Sequence, residues 1–276
     1  MELPVKFVGM SGDDYRSHND FFSRSYLSAV YKHGARAQQW MDLGHQLVPQ
    51  TNSLTVGTRF DRVVEGIIQG RSIDDMIFTP PAEVLTKQGH RRGKAYDEWK
   101  SNQNGIVVSA DDEFQLRSMV ESLMAHKAAR DLVEMSTETQ VSVFFEIDGH
   151  RVKVRPDGCL PTMWWDLKST SSTWDRIYNS AADYGYYEQE WLYVKGAMAI
   201  GLEWHRMPFV FTQTMPPYAT EVMYLPEELV EIAGERMKEA MEVASLRIST
   251  GVYTPDEYSI QEMKVPTWAR RAYIEG

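Results

Sequence analysis

The chain has 276 residues, of which 43% are hydrophobic and 25% charged, with a net charge of −10 and one cysteine, Cys159. This composition is typical of a globular protein with a substantial core, and no apolar run reaches the roughly 18 residues of a transmembrane helix. One cysteine excludes an intramolecular disulfide and an all-cysteine zinc or iron–sulfur site within the chain, and it favours a reducing, cytoplasmic setting. The negative charge excludes a general nucleic-acid coat protein, but it allows an enzyme that contacts phosphates in one cleft.

The N-terminal part, to about residue 135, has the apolar spacing of helices. Helical patterns cover residues 21–41 and the stretch after Gly57-Thr58, where Thr58 is a candidate N-cap. Pro80-Pro81 interrupts the chain. Ser109, followed by Asp-Asp-Glu, has the capping signature of a helix that would extend to about Glu134.

Strands are predicted next, from about residue 136 to 225. Two alternating runs, Glu138–Ile147 and His150–Arg155, flank Asp148-Gly149, a dipeptide typical of two-residue hairpin turns. Further strands are expected around 163–168, at 207–214 and at 219–224, with a helix over 180–200. A long amphipathic helix and a tail would occupy 226–276. The order predicts a single α/β (mixed α+β) domain over 1–276, with a central mixed β-sheet flanked by helices and preceded by an N-terminal helical segment.

Residues 155–170 have the strongest functional signal. Asp157 lies in a proline-marked turn, and Asp166-Leu167-Lys168 ends an apolar, aromatic run. Side chains two apart on a strand share a face, so Asp166 and Lys168 project together. An isolated Asp-x-Lys is also typical of a surface ion pair, but the flanking tryptophans predict a buried strand, where charges are rare unless paired or functional. Two carboxylates and an ammonium at a strand end suit Mg²⁺ or Mn²⁺ together with a phosphate.

Two further patterns have plain structural alternatives. Arg151, Lys153 and Arg155 alternate along a predicted strand, so they would share one face, directed either to a ligand or to solvent. Gln189 and Tyr193 lie four apart on a predicted helix and project from one face, as residues at any amphipathic boundary do.

Together these residues resemble the PD-(D/E)XK nuclease superfamily, and within it the phage-type exonuclease family that includes the RecE exonuclease, with lambda exonuclease a more distant relative. The resemblance is found in Arg155-Pro156-Asp157-Gly158, in Asp166-Leu167-Lys168-Ser169-Thr170 and in the Gln189…Tyr193 pair. It extends from about Ser25 to about Tyr224. It implies a restriction-endonuclease-like core and metal-dependent hydrolysis of DNA phosphodiesters.

The resemblance also implies a metal site with oxygen ligands. One or two Mg²⁺ ions, replaceable by Mn²⁺, would be held by four protein groups, namely Asp157, Asp166, Glu138 and the Leu167 backbone carbonyl. Lys168 would position or help deprotonate the attacking water and stabilise charge on the phosphate. Gln189 and Tyr193 would support the site or hold the DNA backbone.

One position departs from the family pattern. Relatives usually have a histidine four residues after the glycine that begins the Gly57-Thr58 helix, as a ligand to the second metal, and Asp61 occupies that position here. Aspartate is a harder oxygen ligand that suits Mg²⁺ or Mn²⁺, as does Glu65 one turn later. We therefore expect that Asp61 replaces the histidine as a ligand and that the second metal site is kept.

Several basic or hydroxyl side chains are candidates for contact with DNA phosphates. Arginine suits this role because its guanidinium can pair with a phosphate through two hydrogen bonds. They are Arg91, Arg92, Lys94 and Arg155, with Ser25 and Arg24 as weaker candidates. For the cluster at 91–94, a solvated basic loop is the structural alternative.

The leading hypothesis is a Mg²⁺-dependent 5′→3′ exonuclease that acts on linear double-stranded DNA ends in phage-type recombination. A single-strand exonuclease or a structure-specific endonuclease on the same core is the alternative among enzymes. A catalytically inactive DNA-binding or assembly protein is the alternative from another class. The resemblance further implies a ring-like homo-oligomer, a single-strand annealing protein as partner, and no membrane association.

Overall fold

Helices and short strands alternate along the chain, and the computed structural model describes them over residues 2–47, 52–203 and 206–253. The helices in these ranges are α1 (Gly12–Ser17), α2 (Arg24–Asp42), α3 (Asn52–Ile68), α4 (Lys94–Ser101), α5 (Ala110–Ala125), α6 (Lys127–Met135), α7 (Ile177–Asp183), α8 (Tyr186–Ala199) and α9 (Glu227–Thr250). The strands in the same ranges are β1 (Val5–Phe7), β2 (Ile77–Phe78), β3 (Ile106–Val107), β4 (Glu138–Thr139), β5 (Ser142–Ile147), β6 (His150–Val154), β7 (Gly158–Cys159), β8 (Trp164–Thr170), β9 (Phe209–Gln213) and β10 (Thr220–Met223).

A five-stranded sheet has the order β10-β9-β8-β7-β4, with β8 at its centre. β8 pairs in parallel with β9, where Asp166 lies opposite Phe209, and antiparallel with β7, where Trp165 lies opposite Gly158. Parallel neighbours need a crossover connection, which α7 and α8 provide. The mixed sheet flanked by helices that the sequence predicts is therefore confirmed.

The predicted hairpin is present, but it belongs to a separate sheet. Ile147 pairs with His150 across Asp148 and Gly149, whose φ values of 49° and 81° suit a two-residue turn that follows the strand twist. On its other side β5 pairs with β1, giving the order β1-β5-β6. The N-terminal part, predicted as helical, thus contributes an edge strand, and β2 and β3 form a small parallel sheet of their own.

Apolar side chains cover both faces of the central sheet. On one face Trp164 and Phe209 pack with Leu192 of α8, and on the other Trp165 and Leu167 pack with α3, α5 and α6. Each fully buried Leu or Phe side chain stabilises the fold by roughly 1.5–3 kcal/mol. The alternation along β8 confirms the predicted division, with the two tryptophans on opposite faces.

Three predicted helix limits are wrong, each for a local reason. α3 begins at Asn52, so Thr58 lies inside the helix and is not its N-cap. The stretch 180–200 forms two helices because Gly185, with a φ of 70°, separates α7 from α8. Ser109 caps α5 as predicted, but His126 ends that helix and caps α6 through its ring nitrogen.

The C-terminal helix α9 confirms the amphipathic pattern that starts at Pro226. Just beyond it, the Tyr253 hydroxyl donates to Asp42 at 2.7 Å, and the same carboxylate accepts from Tyr26 at 2.7 Å. The predicted tail lies outside the described residues from 254 onwards. Over the ranges that the structure describes, none of the helices combines the length and apolar character needed to cross a bilayer.

Candidate active site

A cleft of about 1200 Å³ opens between the N-terminal segment, α3 and the turn that precedes β7. Residues 11–26 and the end of α2 form one side of it. Among the acidic side chains that line it are Asp61 and Glu65 of α3 and Asp157 of the turn. The cleft therefore brings together carboxylates that are almost a hundred residues apart in sequence.

Asp157 is held by one hydrogen bond at each carboxylate oxygen. The Leu167 N–H donates to Oδ2 at 2.9 Å, and the Gln140 Nε2 donates to Oδ1 at 2.7 Å. The turn can approach β8 this closely because residue 158 is glycine. A Cβ at Gly158 would lie 2.2 Å from the indole of Trp165. The proline-marked turn thus places Asp157 beside β8.

The Leu167 backbone also faces this side of the strand. Its N–H bonds Asp157 rather than β9, whereas the Asp166 N–H bonds the Pro208 carbonyl on the β9 side. In a strand the N–H and C=O of one residue point to the same edge. The Leu167 carbonyl is therefore directed to the edge that holds Asp157, where the sequence predicts it as a ligand.

Asp166 and Lys168 form the buried pair that the sequence predicts. Asp166 is 2% exposed, and its Oδ2 accepts a short hydrogen bond from the Lys168 ammonium. Its Oδ1 accepts from the Gln189 Nε2 at 2.7 Å. The Lys168 Nζ also lies 5.2 Å from the ring centre of Tyr186. The pair is thus fixed by α8 as well as by β8.

The cluster combines three carboxyl groups, Asp61, Asp157 and Asp166, with one ammonium, Lys168. Burial raises the pKa of Asp157 well above its ordinary value, and Asp166 and Asp61 raise it further. Burial also raises the pKa of Asp61 to about 7, although Lys168 acts in the opposite direction. Burial alone would lower the pKa of Lys168, but Asp166 and Asp157 outweigh it and the pKa is raised. The ammonium is therefore charged, whereas burial and the neighbouring carboxylates favour a proton on Asp157 and on Asp61.

The α3 helix lies against β8 at close range. A Cβ at Gly57 would lie 2.7 Å from the Ser169 Oγ, so a larger residue there would push the helix away. Asp61, one turn further on, is close enough to Asp166 and Lys168 for both to shift its pKa. The structure thus brings Asp61 to the cluster, and its role as replacement for the family histidine stays a prediction.

The described residues contain no group of three or more His, Cys, Asp or Glu side chains arranged to hold a metal ion. Both oxygens of Asp157 and both of Asp166 accept one hydrogen bond each from protein donors. Each carboxylate oxygen keeps a second acceptor position. An all-oxygen set fits Mg²⁺ or Mn²⁺ in its chemistry.

The family model described as a PDDEXK-like domain of unknown function (DUF3799) matches residues 31–258. The chain belongs to this family. Its fold is similar to that of a candidate exonuclease from Eubacterium rectale, with a TM-score of 0.64 and 15% identity over 97% of this chain and 100% of the other. A phage-related exonuclease from Haemophilus somnus 129PT aligns over 86% of this chain and 99% of its own at 12% identity, with a TM-score of 0.35 that supports no conclusion. No curated protein matches.

Membership of the PDDEXK-like family confirms the superfamily resemblance, but the structure does not place every expected residue in the cleft. Glu138, expected as a further ligand, forms an ion pair with Lys6 of β1 and lines a different cavity of about 650 Å³. Side chains alternate along a strand, and Thr139 accepts from Gln69 of α3 at 3.3 Å. Glu138 therefore points away from α3 and the aspartates.

The alternating cations of β6 do share one face, but the N-terminal segment covers it. Lys153 is 5% exposed, and its Nζ donates to the carbonyls of Tyr15 and His18, both at 2.8 Å. Arg151 pairs with Asp20. Lys153 lines the cleft, but its ammonium is bound to these backbone carbonyls, and Arg151 is not among the lining residues.

Arg155, a predicted phosphate contact, is also used inside the protein. Its guanidinium donates to Gln140 and Ser142 at 2.9 Å and to the Met10 carbonyl at 2.8 Å. The Tyr193 hydroxyl donates to the Arg155 carbonyl at 3.0 Å, which supports the turn before Asp157. Arg155 therefore ties the turn to the N-terminal segment, in place of the expected contact with phosphate.

The remaining predicted phosphate contacts divide into two groups. Ser25 and Arg24 line the cleft at the N-terminus of α2. Arg91, Arg92 and Lys94 are exposed, and they are absent from the walls of the cleft.

Gln140 is the residue of the site that no sequence pattern indicates. A regular strand over 138–147 would direct its side chain to the same face as Glu138. Its φ of 50° breaks that alternation between β4 and β5, and its amide reaches Asp157 instead.

Proposed function

We propose that this chain is a Mg²⁺-dependent deoxyribonuclease, and more closely a 5′→3′ exonuclease that acts on linear double-stranded DNA ends in phage-type recombination. The observation that carries the proposal is the burial of Asp157, Asp166 and Lys168 together beside a cleft, within a chain of the PDDEXK-like family. This trio is the set on which hydrolysis in the superfamily depends. Asp157 lines the cleft, which is wide enough to admit a polymer strand.

The residues that would hold the metal are Asp157, Asp166 and the Leu167 carbonyl, with Asp61 and Glu65 on the α3 side. A bound divalent ion would lower the pKa of a water molecule and offset charge on the phosphate oxygens. The mutual repulsion of the buried carboxylates supports this assignment, because a cation would relieve it.

The chain's own groups have separate tasks in this proposal. Lys168 is a charged ammonium at rest, so it stabilises negative charge on a phosphate rather than acting as a neutral base. Gln189 fixes the Asp166 carboxylate by its hydrogen bond at 2.7 Å. Tyr193 fixes the turn through the Arg155 carbonyl.

The α2 N-terminus supports binding of a DNA phosphate within the same cleft. Ser23, Arg24 and Ser25 all line the cleft there. The first backbone N–H groups of a helix and its dipole attract anions, and arginine adds a positive charge. We assign Ser25 and Arg24 to the phosphate nearest the reacting bond, and Arg91, Arg92 and Lys94 to more distant DNA. We also propose a ring-like homo-oligomer and a single-strand annealing protein as partner. These two parts of the proposal rest on the family resemblance alone.

A substrate panel tests the proposal. The purified chain is incubated with Mg²⁺ and 5′-phosphorylated linear duplex, 5′-hydroxyl linear duplex, covalently closed circular duplex, or single strands labelled at either end. We expect degradation of linear duplex from the 5′ end and none of the circle. Preference for single strands would indicate a single-strand exonuclease, and cutting of circles an endonuclease. If no substrate is cleaved with Mg²⁺ or Mn²⁺, the remaining hypothesis is a catalytically inactive DNA-binding protein.

Glu138→Gln is expected to leave the cleavage rate within roughly twofold of wild type, as for substitutions outside the site. The reason is the position of Glu138 beside Lys6, in the separate cavity. Initial rates over a Mg²⁺ titration measure it. Glu65→Gln is the matched comparison, because it removes the same charge inside the cleft, and it should raise the Mg²⁺ requirement. A tenfold or larger loss in Glu138→Gln would return Glu138 to the ligand set.

A further inference from the structure

Gln140 adopts a backbone conformation that L residues rarely use. Its φ is 50°, in the left-handed region, and it lies between the last residue of β4 and the first strand of the hairpin. Such conformations persist in residues other than glycine where surrounding contacts hold them, and they concentrate at functional sites. The contacts of Gln140 are therefore informative.

Both the backbone and the side chain of Gln140 bind Asp157. The Gln140 N–H donates to the Asp157 carbonyl at 3.2 Å, and its Nε2 donates to the Asp157 Oδ1 at 2.7 Å. The amide oxygen accepts from the Arg155 Nε at 2.9 Å. The side chain thus bridges two residues on either side of Pro156.

The orientation of the amide is fixed by its partners. Arginine has donors only, so the group facing the Arg155 Nε has to be the amide oxygen. The NH₂ group then faces Asp157 and donates to the carboxylate. Arg155 is itself held by Ser142 and the Met10 carbonyl, so the bridge is anchored in β5 and in the N-terminal segment.

Asp157 and Asp166 each have one glutamine donor, at the same distance. Gln189 donates to Asp166 at 2.7 Å from α8, and Gln140 donates to Asp157 at 2.7 Å from the strand break. In both cases the second oxygen accepts a different donor, from Lys168 or from the Leu167 N–H. The two carboxylates are therefore oriented by different elements, Asp166 by α8 and Asp157 by the segment between β4 and β5.

We propose that Gln140 is a positioning residue that orients the Asp157 carboxylate for a divalent cation. This inference rests on the proposed function, since it assigns Asp157 to the metal. Mutation of a residue that hydrogen-bonds a metal ligand typically lowers metal affinity or activity by about 10- to 100-fold. Gln140 acts through Asp157, and the left-handed backbone is what lets one residue bind it with both main chain and side chain.

The test is Mn²⁺ binding to the full chain, measured by electron paramagnetic resonance, for wild type and Gln140→Gly. Glycine adopts a φ of 50° freely, so this variant keeps the turn and the backbone bond but removes the side chain with its bonds to Asp157 and Arg155. We expect the dissociation constant for Mn²⁺ to rise about 10- to 100-fold. Gln115→Ala is the matched control, because the Gln115 amide donates to the Thr214 carbonyl at 2.7 Å far from Asp157, and it should bind Mn²⁺ as wild type does.

Unchanged Mn²⁺ binding in Gln140→Gly would overturn the inference, as would a wild type that binds no Mn²⁺. Gln140→Asn provides a second variant, since asparagine tolerates the left-handed region but is too short to bridge Asp157 and Arg155. It should resemble Gln140→Gly. A wild type that binds Mn²⁺ but cleaves no DNA would defeat the proposed function and leave the Mn²⁺ comparison valid.

Discussion

Asp166→Asn is expected to lower the rate of Mg²⁺-dependent DNA cleavage by about 10³-fold, because charge stabilisation of several kcal/mol at the phosphate corresponds to a factor of that size. The asparagine side chain keeps the shape of aspartate and can still accept from Gln189 or Lys168 at its one oxygen. It loses the charge that the structure buries at 2% exposure. Initial rates on end-labelled linear duplex, with Mg²⁺ and with Mn²⁺, measure the effect.

Asp175→Asn is the control for this experiment. Asp175 lies on the same chain segment beyond β8, but it is exposed in a short 3-10 helix. The Asp175→Asn variant should cleave DNA at the wild-type rate. Melting temperatures of both variants establish that the fold is retained. A rate for Asp166→Asn within tenfold of wild type, with intact folding, would remove Asp166 from the reaction.

Lys168→Met is expected to lower the turnover number by about 10²–10³-fold, the usual effect of removing one group that stabilises charge in the transition state. The Lys168 ammonium is the cation that binds Asp166, and its pKa is raised by Asp166 and Asp157 despite burial. Without the ammonium, nothing at this position competes with Mg²⁺ for the Asp166 carboxylate. The Mg²⁺ concentration for half-maximal rate should therefore stay the same or fall, and single-turnover rates over a Mg²⁺ titration separate the two quantities.

Lys168→Arg distinguishes charge from geometry at this position. The planar guanidinium keeps the charge but cannot place a single point charge where the ammonium lies, between Asp166 and the Tyr186 ring. We expect it to restore only a small part of the rate. A Lys168→Met variant that turns over normally at high Mg²⁺ would instead assign Lys168 to the arrangement of the metal ligands.

The elements that local sequence determines were predictable. β8 follows from its aromatic run, and the hairpin follows from Asp148-Gly149, whose two positive φ values the dipeptide favours. Asp157, Asp166 and Lys168 come together because they lie within a dozen residues on adjacent turn and strand. Local patterns therefore predict the centre of the site and the sheet that holds it.

The contacts that local sequence does not indicate depend on partners that are distant in the chain. Glu138 pairs with Lys6, 132 residues away, and nothing in the stretch around it indicates that contact. The cations of β6 carry the right spacing for a ligand-binding face, but the first twenty residues fold over that face. Gln140 requires a backbone conformation that glutamine does not favour locally, so only the surrounding structure selects it.

The burial of Lys153 affects how a substrate can enter and leave the cleft. Its ammonium is used by carbonyls of the N-terminal segment, which forms one side of the cleft. Swinging that segment aside would leave the buried Lys153 side chain without these acceptors, at a cost of roughly 1–3 kcal/mol for each buried polar group left unpaired. This side of the cleft is thus a fixed wall and not a gate. We therefore expect the proposed DNA substrate to enter and leave through the open face of the cleft.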